Sequence, residues 1–375
     1  MRLADYTQGR DNNFNLIRIA AAFSVLTSHS FPLALGPNAV EPIADILGMS
    51  LGMIAVDVFF FTSGFLVTAS LLTRQNVKQF VWARVLRIYP ALIVVVLLSV
   101  FGLGLFFTTQ PTRAYLADAK IYEYVLKCST LITGVNQHLP GVFENNPYKN
   151  SVNGSLWTMP YELKMYITLT CVWLIVQWIP ANKVKVPVNK VKIFKVVLVL
   201  GAAISGMLLI LVHFNMVNTG GKFLKFFYMF FSGASFYILR DRIILSHALF
   251  SLFLLLLIGT IFNKHIFFVS YVLVLGYCIL YFSYIPSGIV RKYNKLGDFS
   301  YGIYVYAFPV QQSVAALIPG VSPLVMFACS SIATMTLAVL SWTFVEKKAL
   351  HLKEGWLNHH RMSFLFPLGL PRSKN

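Results

Sequence analysis

Residues 50–73, SLGMIAVDVFFFTSGFLVTASLLT, run for 24 residues with one charged side chain, Asp57. A helix of that length is about 36 Å long at 1.5 Å per residue, enough to cross a hydrocarbon core of about 30 Å. Comparable apolar runs recur near 14–35, 89–110, 157–179, 192–214, 223–239, 243–262, 265–284, 298–318 and 322–345. Composition agrees: 57% of the chain is hydrophobic and 12% charged, against roughly 45–50% and about 25% in a soluble domain. So little charge cannot cover a 375-residue globule in water, whereas a lipid-facing surface needs none. The expected fold is all-α, a polytopic transmembrane helical bundle of about ten spans. No internal repeat or low-complexity tract appears, and the longest connection, 111–155, is too short for a typical separate domain. Residues 1–350 read as one membrane domain and 351–375 as a short basic cytoplasmic tail.

The net charge of +18 is distributed in a way that speaks against nucleic acid as a partner. Lys and Arg sit between apolar runs rather than on one amphipathic face. With both termini cytoplasmic, the inner segments hold 22 of them and the outer segments 6, as the positive-inside rule requires. Both ends on one side demand an even number of spans. Arg18 and the polar Thr27–Ser30 stretch interrupt the first run, unlike a signal-peptide core, so it reads as retained despite a cleavage-like Ala34-Leu35-Gly36. Cys128, Cys171, Cys278 and Cys329 are scattered, and neither a disulfide framework nor a metal site is expected from them.

Ionisable residues within spans are costly and therefore candidates for function. Arg18 and His29 lie eleven residues apart in NFNLIRIAAAFSVLTSHSF (13–31), three helical turns plus roughly 20°, so they share one stripe about 16 Å apart. Alternatively, the arginine snorkels to the interface and the histidine bonds a neighbouring helix. Asp57 needs a partner, and His29 at similar depth is the natural one; a purely structural salt bridge is the other reading. Arg84 and Arg87, on an expected short helix ending at Tyr89-Pro90, would place guanidinium groups with Arg18 at the inner mouth. Such groups suit phosphate, although positive-inside anchoring also explains them. SVNGSLWTMPYELKMYI (151–167) brings Trp157, Tyr161 and Glu162 to a span entrance. The aromatics read either as interface anchors or as acceptor contacts, and Glu162 as a group orienting a hydroxyl or the histidine. Asp298, at the inner end of the ninth run, is placed to pair with the arginines.

Taken together, Arg18 and His29 in the first run, GMIAVDVFFFTSGFL (52–66), ARVLRIYP (83–90), GSLWTMPYELK (154–164), GDFSYGIYVYAFP (297–309) and the closing SWTFVEK (341–347) resemble the acyltransferase 3 family. The likeness runs in order over nearly the whole chain. Each motif alone is weak, and six in sequence are specific. The resemblance implies a membrane O-acyltransferase with an acyl-CoA donor, usually acetyl-CoA, and no metal. It also implies a carbohydrate acceptor of the cell envelope or an exported glycan, and a multi-pass location in a bacterial inner membrane. By analogy His29 is the base or acyl carrier, and Arg18, Arg84 and Arg87 hold the donor. Two positions depart from the family pattern: Ala307 stands where many members have histidine, and Lys348 where they have proline.

The expected route brings the donor phosphates to the three arginines and the thioester along the Arg18–His29 stripe. Asp57 then orients the imidazole, Glu162 admits the hydroxyl, and Trp157 and Tyr161 contact the acceptor. The rival from another class is a transporter or flippase of a lipid-linked sugar, without covalent chemistry. Intramembrane Asp, Glu, His and Arg suit that too, but no paired Gly/Pro-broken spans in matching halves support it.

Overall fold

The computed structural model describes residues 1–9, 11–74, 76–179, 189–218 and 220–352, and among these it is helical, with isolated bridges in place of strands. Its principal helices are α1 (Phe14–Leu35), α2 (Leu51–Arg74), α3 (Val77–Leu97), α4 (Ala119–Thr130) and α5 (Met159–Trp178). They continue with α6 (Lys190–His213), α7 (Gly221–Ile238), α8 (His247–Thr260), α9 (Lys264–Tyr284), α10 (Ser300–Leu317) and α11 (Pro323–Ser341). Among the described residues, six helices are long and apolar enough to cross a bilayer: α1, α2, α3 as it continues to Phe107, α6, α9, and α11 as it continues to Leu352. The other four expected runs form α5, α7, α8 and α10, of 20, 18, 14 and 18 residues. α10 needs little apolar character because protein surrounds it: Ser300 to Pro309, Gln311 and Gln312 are all buried. Most of the expected tail, from 353 onward, lies outside the described residues.

Side-chain caps start several helices. Asn76 accepts from the Gln79 amide at 3.1 Å, Asn189 from Lys192 at 3.0 Å and Asn263 from Ile266 at 3.1 Å, each satisfying an otherwise orphaned N–H. Hydroxyls inside the helices donate to carbonyls one turn back, as Ser30 does to Leu26 and Thr62 to Val58, which satisfies these donors within their own helix. The lipid side is apolar: Leu252, Leu255, Ile258 and Ile332 are all more than half exposed.

One expectation is corrected here. Arg84 and Arg87 are not on a separate helix ending at Tyr89-Pro90, because α3 begins at Val77 and runs through Pro90. Proline removes one N–H but does not break a membrane helix whose neighbours supply other contacts. The Tyr301 hydroxyl of α10 donates to the Ile88 carbonyl at 2.8 Å beside it. A π-helical segment, Leu98–Gly104, follows.

Contacts between helix ends define the arrangement. The Asn13 amide donates to Ser283 O at 2.8 Å and the Leu3 amide to Ile243 O at 2.8 Å. The starts of α1 and α10 and the ends of α9 and α11 therefore meet at one end of the bundle, with the α7–α8 turn beside them. At the opposite end, His213 closing α6 lies 3.1 Å from His265 opening α9. That end also carries a cap, residues 108–153, containing α4. The cap is clamped to α10: the Asn146 amide donates to Gln312 Oε1 at 2.7 Å, and the Gln312 amide donates to the carbonyls of Tyr148 at 2.8 Å and Ser151 at 2.6 Å.

The tightest helix crossing joins α2 and α7. A methyl group added at Gly64 would overlap the Phe230 carbonyl, and one at Gly233 the Phe61 carbonyl. Two glycines thus let the backbones touch, a common device where lipid supplies no hydrophobic drive between helices.

Candidate active site

α1 carries Arg18 and His29 on an unbroken helical stretch, and both meet residues leading into or lying on α10. Arg18 Nη1 lies 2.8 Å from Asp298 Oδ2, two residues before α10. The His29 ring packs edge-on against Phe308, centroids 5.3 Å apart. The two side chains therefore point to the same neighbour, as their spacing requires.

Asp298 is shared. Its Oδ2 also receives Arg87 Nη2 at 2.6 Å, and Arg87 Nη1 reaches Glu346 Oε2 at 3.2 Å. Glu346 is almost completely buried and accepts from Ser341 Oγ at 3.0 Å. The π-helical segment Trp342–Glu346 that extends α11 carries it. Sequence reading placed Asp298 beside the arginines but gave Glu346 no part in the site. Its signal was the terminal SWTFVEK motif, whose penultimate residue is a carboxylate too close to an apolar helix to be solvated cheaply.

Arg84 differs from the other two. Its guanidinium lies between the rings of Phe80 and Tyr166, 5.9 Å from each, and no carboxylate comes within ion-pair distance among the described residues. Its buried Nε has no hydrogen-bond partner there. Tyr166 in turn donates to Glu162 on α5 and shares a 2.9 Å hydrogen bond with Ser63 on α2. Arg18, Arg84, Arg87, Glu162, Tyr166 and Ser63 all line one narrow cleft of about 80 Å³. Arg18 and Arg87 are committed to Asp298 and Glu346, and Arg84 is the cleft guanidinium with no carboxylate at ion-pair distance among the described residues.

Of the expected residues, the cleft holds Arg18, Arg84, Arg87 and Glu162. His29 is not in its wall. Tyr304 lines the cleft and Phe308, one turn further along α10, touches His29. His29 therefore sits just beyond the far end. Its Nδ1 is buried without a partner among the described residues.

The expected pairing of Asp57 with His29 is corrected. Asp57 is fully buried, and its Oδ2 lies 2.8 Å from Lys225 Nζ on α7 and accepts from Tyr271 of α9 at 2.8 Å. Helix geometry explains this. Val56, Phe59, Phe60, Ser63 and Val67 form the cleft face of α2. Asp57 is turned about 100° from Val56 and shares the stripe of Gly64, which faces α7. Lys225, an intramembrane cation in the sequence, was the visible signal for this partner.

Trp157 and Tyr161 also stand behind the cleft wall. Together with Phe226 they form a cluster, Trp157–Phe226 at 5.6 Å and Tyr161–Phe226 at 5.3 Å, and Phe226 stacks on the cleft residue Phe60 at 4.3 Å. Lys222 lies 4.8 Å over the Trp157 ring. The same motif is pinned to α10 by Asn153, which donates to Val305 O at 2.9 Å, and by Thr158, 2.5 Å from the Tyr304 hydroxyl.

A cleft lined by three arginines with an imidazole beyond one end, built by helices from across the sequence, is the polar site inside a multi-pass membrane protein. Comparison gives the class of chemistry. Residues 11–343 match the model of the acyltransferase domain, and the chain belongs to the acyltransferase 3 family. It is similar to the O-acetyl transferase of Shigella phage Sf6, 26% identical over 360 residues, which is 91% of this chain and 96% of that protein. It is also similar to Nodulation protein 10 of Rhizobium leguminosarum bv. viciae, 27% identical over 386 residues, 93% of this chain and 96% of the relative. No solved structure matches the chain.

Proposed function

We propose that this acyltransferase moves an acetyl group from acetyl-CoA to a hydroxyl of a cell-envelope or exported carbohydrate. The observation that carries the reading is the alignment of a guanidinium-lined cleft with His29 along α1 and α10. The O-acetyl transferase among its relatives supports the acyl group and the acceptor atom. The distribution of Lys and Arg puts the arginine end in the cytoplasm, where coenzyme A resides, and the cap outside. Ten crossings follow, the four shorter helices included, with both termini cytoplasmic. The bilayer is the inner membrane of a bacterium.

In this reading the phosphates of the donor bind at the arginine end, with Arg84 as the cation free to receive them. The thioester extends past Tyr304 to His29. The acceptor oxygen attacks the thioester carbonyl as His29 takes its proton. The new C–O bond forms, the C–S bond breaks, and the proton passes to the departing CoA thiolate. General-base catalysis of this kind contributes about 10²–10⁴-fold. Glu162, held by Tyr166, orients the incoming groups from the cleft side. Trp157 and Tyr161 shape the acceptor side through Phe226 and Phe60. Asp57 anchors α2 to α7 through Lys225 and does not orient His29.

The test is His29→Ala in purified full-length protein, assayed for release of CoA thiol and for acetylated glycan. Both products are lost while the protein remains folded. Retained transfer overturns the role of His29, and glycan movement without any thioester turnover by the unaltered protein overturns the reading in favour of a transporter.

A further inference from the structure

The cap leaves a second cavity, about 310 Å³, between itself and the far end of α10, within the size of ordinary ligand pockets, roughly 300–1,000 Å³. One wall carries Phe107 and Phe143, ring centroids 4.9 Å apart. Thr109, Glu144 and Asn145 bring a hydroxyl, a carboxylate and an amide to it, and Ala316 of α10 leaves the opposite wall small. Glu144 already accepts from Thr109 Oγ1 at 3.0 Å, so its orientation is set.

The site is held in shape. Phe143 has a left-handed backbone, φ 57°, and its carbonyl accepts from the Asn150 amide at 3.1 Å. Neighbouring Asn146 is locked to Gln312. Its position is equally telling. Ala315 and Ala316 lie two helical turns beyond Phe308, the residue against His29, or about 11 Å along α10.

We propose that this cavity is an acceptor subsite for a neutral sugar, one or two units along the glycan from the residue that is acetylated. The proposal rests on the acetyl-transfer reading above. Aromatic faces pack against the apolar face of a pyranose ring. Its hydroxyls donate to the Glu144 carboxylate and exchange hydrogen bonds with the Asn145 amide. The lining supplies one negative charge and no cation, so a uronic acid or a phosphorylated sugar would set a second negative charge against Glu144 without compensation. The acceptor is thereby recognised as a chain, not as a single residue.

The experiment uses the full-length protein in detergent with acetyl-CoA and oligosaccharides of one to four neutral residues, released by mild acid from the envelope glycan of the source strain. A matched series carries a uronic acid. Glu144→Ala and Asn145→Ala each raise KM for the three- and four-residue acceptors about tenfold, the effect of losing roughly 1.4 kcal/mol of hydrogen bonding. They leave KM for acetyl-CoA and for the single residue unchanged. Ala316→Trp, which fills the cavity, abolishes the preference for longer acceptors, and the uronic series is a poor substrate for the unaltered protein. A chain-length dependence identical in all three variants overturns the subsite while leaving acetyl transfer standing. Failure of the unaltered protein to acetylate any of these glycans overturns the reading beneath it.

Discussion

Replacing Lys225 by methionine separates an anchoring role for Asp57 from a chemical one. The ammonium and the carboxylate are 2.8 Å apart, with Lys225 11% exposed and Asp57 not at all. At an effective dielectric of about 20 their attraction is about 6 kcal/mol, and desolvation of the two ions offsets most of it. The intact pair is therefore worth little net. Removing one partner is different: it strands a buried carboxylate with only the Tyr271 hydroxyl, at a cost of about 3–5 kcal/mol. The Asp57→Asn, Lys225→Met double variant removes both charges and keeps an acceptor for Tyr271. It should return to within about 1–2 kcal/mol of the unaltered protein, the scale of one hydrogen bond. Unfolding in detergent, followed by tryptophan fluorescence, reads stability, and CoA thiol release per folded molecule reads chemistry. The double variant retains most of its turnover. If Lys225→Met unfolds like the unaltered protein, or the folded double variant releases no thiol, the carboxylate belongs to the reaction and the anchoring account fails.

Arg84→Ala should raise KM for acetyl-CoA at least tenfold and lower stability less than Arg87→Ala does, because it loses ring packing but breaks no ion pair. Arg87→Ala strands Glu346 and should cost about 3–5 kcal/mol; if acetyl-CoA and acetyl-dephospho-CoA respond identically to Arg84→Ala, that side chain does not read a phosphate. Gly64→Ala should lower folded yield sharply on size-exclusion chromatography, since its methyl has only the Phe230 carbonyl to displace, and normal yield would refute the close crossing. Burial pushes the Cys128 thiol, in the cap helix α4, up to about 12. At pH 8 it is therefore protonated and enclosed, and mass spectrometry should find N-ethylmaleimide on Cys128 only after denaturation.

The sequence disclosed the helices better than their rotations. Long apolar runs, spaced by Lys and Arg, announce membrane helices almost directly, because lipid forbids other backbone arrangements. The Arg18–His29 stripe was also readable, since both residues lie on one helix and their relation depends only on its pitch. Asp57 was harder: its depth was evident, but which neighbour its stripe met depended on the glycines that draw α2 onto α7. The layer that Trp157 and Tyr161 occupy was not legible either, because Phe226 arrives from α7 to stand between them and the cleft. The start of α3 was missed because Tyr89-Pro90 reads as the end of a separate short helix carrying Arg84 and Arg87, whereas the helix runs unbroken from Val77 through Pro90. The cap cavity had no sequence signature, being made where a loop and a helix end approach each other.

The glycine crossing of α2 and α7 also governs how the cleft can admit anything. Where two backbones rest on each other, neither helix can roll or slide without collision, so the α2 face behaves as a stiff jaw. The facing wall, α5, meets that face in the cleft through the 2.9 Å hydrogen bond between Tyr166 and Ser63. A donor entering as proposed would have to part that bond, because the α2 side has no room to yield.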